Sequence, residues 1–435
     1  MASTLAQTPT PVTIRVDRGR TFQTIEGWGG SLYPQTLKYF TDDPYFKQRL
    51  LNDLHTTHVR MRSVWYLLES RNDNDDPSET DFEAIARGDT GMVHNELVLQ
   101  QLLAVAGVTL QFASWRFPYW MIGKPADWLP ASDDKPILPA SMDDEYVESM
   151  AAYMLYARDR YGFVFDAVSV ANEPDLGIYI SGLPPERLLR LSRMLDERLK
   201  SAGYETRFYL PDVAAADSIG MRYTQEYFQL EGAADFTTAL AYHSYRRDPD
   251  VIKYFGEEAR RLGLPVWVTE QSHTAVAVED RFNWSHALSN AESIYDVLVG
   301  SDATLSLYWS LAMSSSSGLG LYIPEDRKWA PAYDMLKHFF NDVPVGSIRI
   351  LAQSDGPEGL KTVAFKLPDS EAVSVILINT GPEVLEVTFM FAGARAKIER
   401  ATVSEPLDTL QDRLPNMPIV IPPRSVSTIR LADDR

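Results

Sequence analysis

The sequence predicts an α/β fold: a closed (β/α)8 barrel of the TIM type with an attached small antiparallel β-sandwich domain built from the C-terminus plus the N-terminal strand. Three observations predict it. Eight short β-rich runs alternate with longer amphipathic stretches between Gln23 and Phe340. Most of these runs are nearly continuous in apolar residues, as expected of strands covered on both faces. After about Val343 the texture changes to short alternating runs punctuated by Gly, Pro, Asp and Asn, which is antiparallel β texture. The chain has 435 residues, enough for a barrel of about 250 plus a smaller companion. The expected division is a disordered leader over 1–10, an N-terminal strand over 11–20 that joins the β domain, a barrel over 21–342 and a β-sandwich over 343–435.

Taken in order, the barrel strands are expected at Thr24–Trp28, His58–Arg62, Thr109–Ala113, Ala167–Ala171, Phe208–Leu210, Thr238–Tyr242, Val266–Thr269 and Thr304–Tyr308. Helices separate them. From Pro184 to Lys200, Leu188, Leu191, Leu195 and Leu199 recur at helical spacing, opened by a Pro pair and closed near Gly203. Asp250 to Leu262 reads as another, stopped by Gly263 and Pro265. A doubly wound open sheet shares the alternation but requires no count of eight. The strand Val12–Val16 precedes the barrel, and later runs at Thr362–Phe365, Val373–Ile378, Glu386–Met390 and Ile419–Leu431 supply the second domain.

Composition narrows the function classes. A net charge of −19 repels phosphate backbones and anionic lipid, so neither nucleic acid nor a membrane surface is an expected partner. Neutral substrates such as sugars are compatible with it. The chain has no cysteine, which removes disulfides, thiol catalysis and Cys-ligated metal. It has no apolar run of about 18 residues, and Met1–Pro11 lacks the blocks of a signal peptide. Secreted or periplasmic placement would follow only from a removed signal.

In a parallel barrel the active site lies at the carboxyl ends of the strands. Strand four ends Ala171-Asn172-Glu173-Pro174 and strand seven ends Thr269-Glu270-Gln271, so two glutamates face one mouth. Acetal hydrolysis needs a proton for the leaving oxygen and a stabiliser for an oxocarbenium-like transition state, and a carboxyl pair supplies both. A single strand-end Glu is as often a structural cap; two together are not. No metal and no cofactor are expected. The seven His show no HExxH spacing, and the acidic loop Asn72–Asp76 lacks the EF-hand pattern and reads as a solvated loop. There is no phosphate-cradling Gly-rich loop and no Gly-x-Ser-x-Gly elbow.

The residues around the two glutamates resemble glycoside hydrolase family 30. Gly27-Trp28-Gly29-Gly30-Ser31 is similar to the family's GFGG(A/S) entry at strand one. Ser114-Trp115-Arg116-Phe117-Pro118-Tyr119-Trp120-Met121 resembles its SPW..P.WM segment, and Ser169–Asp175 its S.QNEP(D/E) box. His243-Ser244-Tyr245 matches the H.Y pair after strand six, Val268-Thr269-Glu270 the nucleophile strand, and Trp309 the Trp that ends strand eight. These segments stand in family order and span the barrel.

The resemblance implies a retaining hydrolase of β-glycosidic bonds, with Glu173 as acid/base and Glu270 as nucleophile. It also implies substrate-binding roles for Arg60, Trp115, Asn172, His243, Tyr245 and Trp309. Arg60 would keep Glu270 ionised, with Arg62 its rival by strand parity. Asn172 would donate to a sugar 2-hydroxyl, Tyr245 would bond Glu270, and His243 would hold a carboxylate or a substrate hydroxyl. Trp115 and Trp309 offer faces for sugar stacking, Trp120 is assigned to packing, and Asp212, Trp28, Trp65 and Tyr66 are weaker cleft or rim candidates. Members resembling glucosylceramidase carry an acid shortly after the strand-two arginine. Here the stretch reads Val64–Leu68 and the first acid is Glu69, which counts against a glucosidase of that type. Two other readings compete: a hydrolase of the same clan with other sugar specificity, such as an arabinofuranosidase, and a barrel that binds polysaccharide without cutting it.

Overall fold

A computed structural model of the protein describes residues 8–128, 136–176, 182–273, 277–391, 394–395, 397–405, 411–413 and 419–432. Residues 1–7 of the expected leader lie outside them, and Thr10 already belongs to the first strand. The chain forms two compact units. One comprises Gly29–Gln271 and Ser306–Ala312; the other comprises 1–28, Ser272–Leu305 and Met313–Arg435.

Eight parallel strands close into a barrel: β2 (Gly27–Leu32), β3 (His58–Arg62), β4 (Thr109–Ala113), β5 (Ala167–Ser169), β6 (Arg207–Val213), β7 (Ala239–His243), β8 (Val266–Gln271) and β9 (Ala303–Tyr308). β1 (Thr10–Thr24) precedes them. Strands β3 and β4 have the expected ends. The first barrel strand starts three residues later than expected, and the reason is steric. A Cβ on Gly29 would lie 1.8 Å from the His58 carbonyl oxygen, and one on Gly30 would lie 2.4 Å from that of Tyr308. The Gly-rich run, poor in β-branched residues, is therefore itself the strand, because only glycine allows its neighbours so close.

Helices follow the strands with local reasons for their ends. Pro185–Ser201 begins with Pro at its first turn and buries Leu188, Leu191, Leu195 and Leu199. Ser218–Phe228 is capped by Asp217, whose carboxylate accepts from Ile219 N and Gly220 N at 2.9 and 3.1 Å. Pro249–Leu262 is capped by Asp248 and ends at Gly263 with φ 73°, a left-handed turn that favours glycine.

The other unit holds a separate sheet. Its further strands are β12 (Ile348–Ser354), β13 (Leu360–Lys366), β14 (Val373–Asn379), β15 (Leu385–Phe391), β16 (Ala394–Arg395), β17 (Ile398–Ser404), β18 (Gln411–Arg413), β19 (Ile419–Ile421) and β20 (Ser425–Leu431); a small ribbon, β10 (Tyr322–Ile323) and β11 (Lys328–Trp329), precedes them. The sheet order is β16-β15-β1-β12-β13-β14-β20-β17-β18, with β19 on β15. The N-terminal strand is thus interior to the sheet. It runs antiparallel to β12 but parallel to β15, with Val12, Ile14 and Val16 opposite Val387, Phe389 and Phe391. The other pairs of the sheet are antiparallel, as expected; β1 and β15 are not joined by a hairpin, so nothing local dictates opposite directions for them. Period-two alternation puts Val12, Ile14, Val16, Leu385, Val387 and Phe389 into one apolar core. Each such side chain contributes roughly 1.5–3 kcal/mol on burial.

Candidate active site

Arg60, on β3, is fully buried and organises the carboxyl end of the barrel. Its Nη1 donates to Glu270 Oε1 at 2.7 Å; its Nη2 donates to Asn172 Oδ1 at 2.7 Å and to Asp212 Oδ2 at 2.8 Å; its Nε donates to the Tyr209 hydroxyl at 3.1 Å. Tyr209 in turn donates to the Phe112 carbonyl at 2.8 Å. A planar guanidinium can serve this many directed partners where an ammonium cannot. The Trp115 ring covers it, 4.3 Å from the guanidinium carbon, and excludes water from one face. Arg62, the parity rival, instead lies 5.1 Å over the Tyr33 ring.

His243, ending β7, links the carboxylates. Its Nδ1 is 2.9 Å from Glu173 Oε1 and 3.6 Å from Glu270 Oε2, and its Nε2 is 3.5 Å from Asp212 Oδ1. The Tyr245 hydroxyl donates to Glu270 Oε2 at 3.2 Å, and Thr269 Oγ1 to Asp212 Oδ1 at 2.6 Å. One oxygen of Glu173 and one of Glu270 lie within 4.8 Å of each other. Glu173 and Asp212 have φ of 52° and 64°. Left-handed backbone at two non-glycine residues is strain of the kind concentrated at sites that aim a side chain.

The electrostatics follow from burial and neighbours. Burial alone would lower the pKa of His243, but the Glu270 carboxylate and the bonds to Asp212 and Glu173 reverse this and push it up to about 10. Burial would raise that of Asp212, and the Arg60 guanidinium overrides it, holding it down to about 2. For Glu270, burial pushes the carboxyl above its ordinary range, with His243 and Arg60 pulling against it and Glu173 adding to it. Glu173, His243 and Glu270 are close enough to hold a metal. The Arg60 guanidinium already pairs with Glu270 there.

The comparisons agree with this architecture. Residues 346–429 match the model of the glycosyl hydrolase family 30 beta sandwich domain. The mouse (Mus musculus) lysosomal acid glucosylceramidase is 22% identical over 426 residues, covering 87% of this chain and 79% of that protein. The C-terminal part of the chain thus matches the family 30 sandwich domain, and most of its length is similar to this glucosylceramidase. Among solved structures, xylanase C of Talaromyces cellulolyticus superposes with a TM-score of 0.73 at 19% identity, covering 97% of this chain and 100% of that one. The family 30 endoxylanase of Clostridium papyrosolvens superposes at 0.72 with 17% identity and the same coverage.

Against the family 30 pattern, the structure brings together Arg60, Asn172, Glu173, His243, Tyr245 and Glu270. Trp115 and Trp309 face each other with ring centroids 5.8 Å apart, and Trp309 has a Tyr33 edge contact at 5.9 Å. Trp309 retains only 8% exposure and Trp115 4%. Two weaker candidates lie elsewhere. Trp28 stacks on Phe340 at 5.6 Å and its indole donates to the Val343 carbonyl, so it is a core residue of its own unit. Trp65 is buried, donating to Ser114 Oγ at 3.1 Å, and is not on the rim. Tyr66 is only 8% exposed and accepts from Arg116 at 3.3 Å. Trp120, assigned to packing, donates to the Glu69 carbonyl at 3.1 Å. Asp212, ranked low from the sequence, is central, and Tyr209 and Thr269 were not singled out at all. Asp212 and Thr269 lie near the C-terminal ends of β6 and β8, a signal of position, whereas Tyr209 lies early in β6 and carries no such signal.

Proposed function

We propose that this protein is a retaining β-glycoside hydrolase acting on neutral sugars, with Glu270 as nucleophile and Glu173 as acid/base. The observation that carries the reading is the approach of the two carboxylates to within 4.8 Å. Retaining enzymes hold the two carboxyl groups about 5–5.5 Å apart, whereas inversion needs about 6.5–9.5 Å to admit water between them.

Glu270 attacks the anomeric carbon and forms a glycosyl ester while Glu173 gives its proton to the departing oxygen. Water then attacks the same carbon, Glu173 takes back a proton, and Glu270 leaves as a carboxylate. Charge bookkeeping supports these roles. Arg60 and His243 carry two positive charges against Asp212 and Glu270, so the group is neutral when Glu173 holds one proton. Arg60 occupies Asn172 Oδ1, leaving the amide NH2 as a donor for a sugar 2-hydroxyl. The relatives named above are a glucosylceramidase and xylanases, and the acid-free stretch Val64–Leu68 favours a β-linked glycan over a small glucoside.

The test is product stereochemistry by proton NMR on β-linked glycans and aryl β-glycosides, beside Glu270→Gly with azide. Retention by the wild type and an α-glycosyl azide from the variant support the reading. An inverted wild-type product, or near wild-type rates in the variant, overturns it.

A further inference from the structure

We infer that Glu69, Asp73 and Glu148 form a binding site for calcium. The site lies beyond β3, apart from the two glutamates of the mouth, and rests on nothing proposed for them. One carboxylate oxygen from each of the three acids lies within 4.8 Å of the others. Oxygens bound to one calcium at about 2.3–2.6 Å can be up to about 4.6–5.2 Å apart, so the three can share an ion where they stand.

Clustered acids alone are common on surfaces, but these are not on the surface. Glu69 is 5% exposed and Glu148 1%. A second observation points to a ligand: Glu148 Oε2 is buried and has no hydrogen-bond partner. A buried acceptor without a donor calls for an explanation, and a bound ion is one of the few that serve. The other oxygens are served. Glu148 Oε1 accepts from Thr80 and lies 3.7 Å from Arg198; Glu69 accepts from Ser149 and from Asp73 N at 3.3 Å. One arginine at that distance does not balance three carboxylates.

Burial first, and the neighbouring acids after it, push Glu69 up to about 9 and Glu148 up to about 7. A cation bound there would compete with protons for these oxygens. A cavity of about 390 Å³ lined by Glu69, Asn72 and Asp73 gives an ion a way in; the exposed Arg71 and Arg87 border it. All the donors are oxygens, some buried and some on a loop, which suits a hard cation with flexible geometry. Calcium fits this better than magnesium, which demands near-ideal octahedra and keeps its waters.

The experiment is titration of the full chain, freed of metal by a chelator, with calcium chloride by calorimetry at pH 7.5. Terbium serves as a luminescent surrogate, because the Trp120 indole bonds the Glu69 carbonyl at 3.1 Å and would sensitise an ion bound there. The expected result is one calcium per chain, a rise in Tm of roughly 2–4 °C at saturation, and terbium emission quenched by calcium and weakened in Trp120→Phe. Proton release, seen as heat that changes with the buffer, should accompany binding. Glu148→Gln and Glu69→Gln, if folded by circular dichroism, should weaken calcium at least tenfold. No calcium heat, Tm shift or terbium emission from the wild type overturns the inference, and so does calcium binding that both glutamine variants leave unchanged.

Discussion

Arg60 and Glu270 stand 210 positions apart in the chain and meet in a 2.7 Å charge-assisted bond, with Arg60 fully buried. The same guanidinium holds Asp212 and Asn172, so its loss would leave two buried acids without their cation. Arg60→Lys should therefore cost turnover more than binding, with kcat lower by about 10²–10³-fold. Arg60→Ala should also destabilise the fold by about 3–5 kcal/mol, measured by denaturant unfolding. Near wild-type kcat in a folded Arg60→Lys would remove Arg60 from the mechanism.

Glu173→Ala should separate substrates by leaving group. Turnover of unactivated glycans should fall by about 10²–10⁴-fold, while aryl glycosides with good leaving groups, needing little protonation, should lose least. A uniform loss across the series, read from kcat/KM against leaving-group pKa, would deny Glu173 the proton-donor role.

His243 provides a pH signature. Its folded pKa, near 10, lies above the ordinary value of 6.5, so its contribution to stability is full below about 6.5 and is lost as pH rises through 10. Turnover should show an alkaline limb in that region. In His243→Gln the limb should move or vanish and kcat should fall at neutral pH. An unchanged alkaline limb would assign it to another group.

His338 should behave in the opposite sense. Buried on the helix Ala332–Phe340 and bonded to Thr428 Oγ1 at 2.8 Å and Ser404 Oγ at 2.9 Å, it is pushed down by burial to about 3. The unfolded chain takes its proton near 6.5, so this stability is present above 6.5 and is lost as pH falls toward 3. Thermal scans from pH 7 to 4 should show Tm falling, and His338→Gln should fall less steeply. Parallel slopes for the two proteins would exclude His338 as a cause.

The sequence revealed most where one residue's neighbours in the chain are also its neighbours in space. Short β-rich runs located β3 and β4 to the residue, a strand-end rule singled out Glu173 and Glu270, and the resemblance added Arg60 and His243. It failed where the cause was a distant contact. β2 was misplaced because the glycines' packing against His58 and Tyr308 leaves no mark on local propensity. Asp212 was underrated because a single aspartate at a strand end is ambiguous until Arg60, Thr269 and His243 are seen around it.

The place of β1 in its sheet has a consequence for how the protein is made. A ribosome produces residues 10–24 first, yet their hydrogen-bonding partners on β12 and β15 come only after the entire barrel sequence has been translated. Until then Val12, Ile14 and Val16 have no apolar core to enter, and the strand emerges with both edges open. Such a strand is a template for the wrong neighbour while it waits, and its sheet has a high contact order by construction. Shortening the chain past Val16 would not trim an edge: it would take out the strand that lies between β15 and β12 and leave the two halves of the sheet without a seam.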